Sequence, residues 1–212
     1  MGWNDVNSRD ERSLMVILRG VAEWFKADIA EWCTGRSWLV RLPLWLFFAY
    51  VGARQFADNM YPSIFGGINL GIHEGGHLLF RAFGEFICVA GGTMLQLAAP
   101  VISMFVFLKQ RDYFAITVCY GWLSTNLINV GVYMSDAMDM ALPLVTVGDN
   151  GGLVTHDWRY LFTRLGLLNQ CRTVGWLTIQ LGNLSMLVCL AAGAWLMWKM
   201  FAAPKKSALR AG

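Results

Sequence analysis

The chain has 212 residues, enough for one domain, and it is 56% hydrophobic with only 15% charged residues, where a soluble globular domain carries about 25%. Its 10 Trp and 13 Phe are more than a small soluble surface can hide, which argues against an ordinary soluble domain. A net charge of +3, with the basic residues spread outside the apolar runs, gives no electrostatic footprint for nucleic acid.

In chain order, residues 1–13, MGWNDVNSRDERS, are polar and lack the apolar core of a cleavable signal peptide, so the first membrane segment is expected to be retained. Across 9–32 the apolar residues Leu14, Ile17, Leu18, Val21, Trp24, Phe25, Ile29 and Trp32 recur every three or four positions. This spacing predicts an amphipathic helix lying on the membrane surface, and residues 1–37 are read as a surface segment. Apolar runs follow at about 38–53, 64–83, 86–108, 113–134 and 174–198. A span needs roughly 20 apolar residues, so the last three are long enough outright. The first is interrupted by Arg41 and Pro43, the second carries His73, Glu74 and His77, and the third is interrupted by Gly91, Gly92 and Pro100, which marks it for local irregularity. The expected fold is an all-α polytopic integral membrane protein, with about five transmembrane helices in a membrane-embedded domain over 38–198. A basic tail, 199–212, holds Lys199, Lys205, Lys206 and Arg210. Basic residues at both ends would place both on the cytoplasmic side, which an odd number of spans does not allow unless one segment is re-entrant or an extra hydrophobic piece crosses.

Five cysteines, Cys33, Cys88, Cys119, Cys171 and Cys189, form no CxxC pair. Three of them stand inside apolar runs, where a thiol behaves as a small hydrophobe, so neither a disulfide framework nor a cysteine zinc site is expected.

Residues 73–77 read HEGGH. On a helix, positions i and i+4 share a face about 6 Å apart, and two imidazoles there can hold one zinc ion at roughly 2.0–2.1 Å each. Glu74, one residue along, can take a proton from a water that the metal activates and return it to a leaving amine. With three His and five Glu in the chain, a His-Glu-x-x-His pattern arises by chance in about one such chain in a thousand. Glu74 is also the only acidic residue within the apolar runs, and an ionisable group at membrane depth is a functional candidate by default. The bland alternative is a buried His–Glu hydrogen-bond network. On the same helix Gly67, Gly71 and Gly75 recur every four residues, as do Asn69, His73, His77 and Arg81. One face is thus expected to pack against a neighbouring helix and the opposite one to carry polar chemistry. Asn69 is a candidate for contacting substrate or orienting His73, with a plain helix-to-helix hydrogen bond as the equal alternative.

A catalytic zinc site takes three protein ligands and keeps a fourth position open. The third is sought in the polar connection between Met134 and Val174, which holds Asp136, Asp139, Asp149, a Gly-rich turn GDNGG at 148–152, and HDW at 156–158. His156 and Asp157 are both candidates, one as ligand and the other supporting it, with Asp157 also suited to cap a helix over Trp158–Leu168.

The run from HEGGH through HLLFRAFGEF, Gly91-Gly92 and LQLAAP at 95–100 resembles the site-2 protease family of intramembrane zinc metallopeptidases. The resemblance covers about 40 residues closely. It implies Glu74 as the base and His73 and His77 as zinc ligands. The family takes its third ligand from an Asp in an LDG motif at the start of a later helix. This chain has no LDG, but DAMDMALPLV at 136–145 is similar to the Leu-Pro stretch before that Asp, and Asp157 holds the analogous place, with His156 beside it. The function expected is cleavage of peptide bonds in membrane-associated substrates, by a multi-pass protein of a bacterial-type cell membrane. No PDZ-like domain is expected, so selection would fall to the lipid-embedded core or to a membrane protein partner. The rivals are a non-catalytic scaffold subunit of a membrane complex and a zinc hydrolase of non-peptide substrates. Three His and one buried Glu are too few for a di-iron centre.

Overall fold

The computed structural model describes residues 3–143 and 156–203, with side chains from residue 15 onward. The turn at 148–152, Asp149 and the basic residues beyond 203 lie outside the described residues. Those described are helical, with seven α-helices and no strand. They are α1 (Trp3–Cys33), α2 (Leu42–Ala57), α3 (Phe65–Phe80), α4 (Glu85–Lys109), α5 (Tyr113–Ser135), α6 (Asp157–Leu165) and α7 (Cys171–Ala202). The chain divides into two compact units, 42–194 and a smaller one made of 1–41 with 195–212.

In the smaller unit, the Cys33 thiol donates to the Leu196 carbonyl at 3.9 Å, and the rings of Trp38 and Phe201 meet edge to face at 6.2 Å. The guanidinium groups of Arg36 and Arg41 cover the Trp32 ring at 4.6 and 5.4 Å, burying an aromatic face while the charges stay near water. Val16, Ile17, Leu18, Val21 and Trp24 of α1 are exposed.

In the larger unit, Pro43 stands in the first turn of α2, where a missing N–H costs nothing. α3 ends at Phe80, short of the expected 83, because Arg81–Phe83 tighten into a 3₁₀ turn and Gly84 takes φ +89°, a conformation only glycine adopts readily. α4 runs unbroken through Gly91, Gly92 and Pro100, so the irregularity expected there is absent. The two glycines serve packing instead. A Cβ on Gly76 would strike the Gly91 carbonyl, and one on Gly91 would meet Phe80 at 2.7 Å, so α3 and α4 approach almost backbone to backbone.

This approach corrects the expected roles of the two faces of α3. Gly67 and Gly71 have open space where a Cβ would stand, and Gly75 would meet only Leu95 at 3.9 Å. The buried positions of α3 are instead Asn69, His73 and Gly76. The polar row and the packing row are therefore one face, because the imidazoles need neighbours to orient them.

Among the described residues, two segments are long and apolar enough to cross a membrane, Glu85–Lys109 and Leu168–Ala202. About five were expected. α2 and α3 have only 16 residues each. α5 has 23 but spends several positions on Ser124, Thr125, Asn126 and Asn129, the first three fully buried. Its Val130 and Met134 form one core with Ala137, Phe162 and Cys171, while Phe48, Val51, Met186 and Cys189 form another.

Candidate metal centre

His73 and His77 project from one face of α3, their ring centroids 4.7 Å apart and nearly perpendicular. Each ring is held by its Nδ1. His73 Nδ1 lies 3.0 Å from Gln96 Oε1, and His77 Nδ1 lies 2.9 Å from the Cys88 carbonyl oxygen. Both acceptors belong to α4. A carbonyl or amide oxygen only accepts, so each Nδ1 carries its proton and each Nε2 is left with a lone pair.

Both Nε2 atoms face a third group. Asp157 Oδ2 lies 2.9 Å from His73 Nε2 and 3.2 Å from His77 Nε2. Asp157 is the first residue of α6, brought over α3 and α4 from 84 residues along the chain. Gly92 leaves space beside the same nitrogens, since a Cβ there would sit 2.6 Å from each Nε2. Two lone pairs and a carboxylate oxygen converging this closely repel one another unless a cation or added protons lie between them.

The donor set fits zinc. Ligands at about 2.0–2.1 Å in a tetrahedron stand roughly 3.3 Å from one another, close to the separations observed here. The set is two imidazoles and a carboxylate, leaving a fourth position for water or substrate. The outward nitrogens are fixed by Gln96 and Cys88, as ligating histidines commonly are.

Glu74 is half-buried, and its carboxylate lies within 4.8 Å of the imidazole nitrogens. It makes no hydrogen bond among the described residues. Asp157 is nearer and faces both nitrogens at once, so Asp157 is the third ligand candidate and Glu74 keeps a carboxylate at liberty beside the site. Burial alone would push the Asp157 carboxyl up; where protons rather than a cation fill the gap, the hydrogen bonds that the protonated His73 and His77 then donate, and their charge, outweigh burial and hold it below the usual carboxylate range.

His156 does not join the pair. Its Nδ1 accepts the Arg159 N–H at 3.3 Å, which makes it the N-cap of α6, a place expected for Asp157. Its Nε2 faces Asp136 Oδ2 at 3.4 Å. Burial pushes its pKa down, with Asp136 and Asp157 acting against the shift. α6 also ends earlier than expected, at Leu165, where Gly166 takes φ +68°. Asn69 is turned to α5 rather than to His73. Its Nδ2 donates to Thr125 Oγ1 at 3.3 Å and Asn129 Oδ1 at 3.1 Å, and its Oδ1 accepts from Trp122 Nε1 at 2.9 Å. Asp139 pairs with Arg172 at 2.8 Å, and the Cys88 thiol donates to the His77 carbonyl at 3.4 Å.

The sequence reading did not single out Gln96, the Cys88 carbonyl or Tyr133. Gln96 carried a signal, being a buried amide in a run without charges. A backbone carbonyl and a tyrosine at a helix end carry none.

No family model, no curated protein sequence and no solved structure matches the chain.

Proposed function

We propose that this protein is a zinc-dependent peptidase acting within or at the edge of a bilayer, of the site-2 protease type. The observation that carries the reading is the convergence of His73 Nε2, His77 Nε2 and Asp157 Oδ2 at 2.9–3.2 Å, with both Nδ1 protons already committed elsewhere. Zinc held there would supply a Lewis acid and lower the pKa of a water toward about 7. Glu74 takes the proton from the attacking water and hands it to the leaving amine, a role that needs a carboxylate near the metal but not on it. Gln96 and the Cys88 carbonyl keep the imidazoles in the tautomer and orientation that present Nε2.

The membrane setting is supported by α4 and α7 and by the apolar side chains that the site-bearing helices leave exposed, among them Ile68, Leu78 and Leu79 of α3 and Ile102 and Phe105 of α4. That much apolar surface marks a face for lipid or for protein. In this reading α2, α3 and α5 lie in a bacterial-type cell membrane beside α4 and α7, completing about five membrane helices. Substrates are membrane proteins reached through that apolar surface.

The test compares the wild type with His77→Ala and Glu74→Gln, each purified in detergent. The wild type carries about one zinc per chain, His77→Ala loses it, and Glu74→Gln keeps it while hydrolysis of a membrane-protein substrate disappears. Metal content that survives joint replacement of His73 and His77 by Ala sinks the zinc reading. A wild type that binds zinc but cleaves nothing favours the scaffold role, for which the same fold would serve.

A further inference from the structure

The third ligand candidate is the one group of the centre that α3 does not itself position. Asp157 begins a helix of only nine residues, and the connection before it starts at the end of α5. Something other than the covalent chain must fix its carboxylate to the few tenths of an ångström a metal tolerates.

Five contacts at the C-terminal end of α5 meet this need. The Tyr133 hydroxyl oxygen accepts the Asp157 backbone N–H at 3.2 Å. The Tyr133 ring stacks on the His156 ring, centroids 4.1 Å apart and planes 30° apart. His156, 1% exposed, turns its Nε2 to Asp136 Oδ2 at 3.4 Å. Asp136 in turn accepts the backbone N–H of Ala141 at 2.9 Å on Oδ1 and of Leu142 at 3.1 Å on Oδ2, gripping the outgoing end of the connection while it faces the returning one. The Arg159 guanidinium adds a sixth tie, donating to the Met138 carbonyl at 3.2 Å.

We infer that Tyr133, Asp136 and His156 form a clamp that positions Asp157 against His73 and His77, an inference that rests on the metal reading above. Tyr133 fixes the ligand's own backbone and, by stacking, the ring of His156, the residue before it, while Asp136 holds the outgoing end of the connection by two hydrogen bonds and faces His156 at the returning end. Tyr133 and Asp136 are three residues apart on one face of α5 and its cap, so a single helix end aligns the ligand. The ring of Tyr133 also stands 6.3 Å from that of His73, which places the clamp directly behind the centre. These are positioning residues; none offers an atom to the metal.

The experiment measures zinc affinity by competition with a chromophoric chelator, the visible absorption of the cobalt(II)-loaded protein, and the thermal midpoint of the metal-free protein, all on the full chain in detergent. Tyr133→Phe keeps the stack and removes only the acceptor for the Asp157 N–H. It is expected to weaken zinc by about 10–100-fold, as losses behind a ligand do, to reduce the cobalt band, and to leave the metal-free midpoint where it was. Asp136→Ala weakens zinc at least as much, and Asp136→Asn, which retains one accepting oxygen, weakens it less. Asp139→Ala, which cuts an exposed ion pair in the same connection, leaves the affinity unchanged. If Tyr133→Phe and Asp136→Ala bind zinc as the wild type does, while Asp157→Ala does not, the clamp is refuted and the metal centre stands. If the wild type takes up neither zinc nor cobalt, the metal reading fails and the clamp with it. If Tyr133→Phe lowers affinity and midpoint together and Asp136→Asn recovers nothing, the residues serve the fold alone and the inference is overturned.

Discussion

Gly92 offers a sharp test, because its Cα faces the two nitrogens that the proposed zinc would bind. Gly92→Ala places a carbon 2.6 Å from His73 Nε2 and from His77 Nε2, where ordinary contact begins at 3.4 Å. The rings must therefore retreat by about 0.8 Å, several times the roughly 0.2 Å that a metal–ligand distance tolerates. They can retreat only by loosening the Nδ1 bonds to Gln96 and Cys88, each worth about 1 kcal/mol net. The helix gains in the opposite sense, since Ala exceeds Gly by about 0.8–1.0 kcal/mol in a helix interior. The metal-free protein should thus lose only about 1 kcal/mol. Zinc affinity should fall by about 100-fold or more, since two ligands move at once, which is about 2.7 kcal/mol of binding. The assay pairs chelator competition with thermal unfolding of the metal-free protein, and Gly71→Ala, which points into open space, is the control. Wild-type zinc affinity in Gly92→Ala would refute the argument that the nitrogens present their lone pairs to one ion beside Gly92.

Four further outcomes follow from the same geometry. Asp157→Ala should abolish measurable zinc binding, while His156→Ala, which touches no ligand atom, should weaken it by about 10–100-fold; the reverse order, read by the same competition, would make His156 the ligand. Gly76→Leu should lower stability by about 3 kcal/mol or more, because the side chain drives into the α4 backbone. Gly71→Leu should leave the unfolding midpoint in detergent unchanged, and a midpoint that falls with it would mean that the Gly67–Gly71 row is covered. Asn69→Ala should cost about 2–4 kcal/mol, since it removes the partner of Trp122, Thr125 and Asn129 in a buried network, yet leave zinc affinity as it was; a drop in affinity would return Asn69 to the site.

Much of the centre was legible in residues 73–77 alone. The i, i+4 spacing of two histidines on a helix fixes their common face whatever surrounds the helix, and a carboxylate one residue along must lie close to both. The apolar runs likewise set the order of most helices, because runs of that length are bounded by the polar, Gly and Pro residues that end helices. The composition also anticipated that many apolar side chains stay exposed, though not which helices carry them.

The tertiary structure decided everything that depends on two helices meeting. Periodicity separates one face of α3 from another but does not say which is covered, and the glycine row was assigned to packing when Gly76, outside it, makes the close approach. Asn69 has the spacing of a site residue, and only the position of α5 shows its amide to be spent on Trp122, Thr125 and Asn129. His156 and Asp157 are adjacent in sequence and equally able to bind a metal by residue type. The first turn of α6 separates them, pointing the Asp157 carboxylate at the imidazoles and burying His156 against Tyr133 and Asp136. A helix turns by about 100° per residue, so neighbours at its start face different surroundings, and which surroundings they face is set by where α5 and α3 stand.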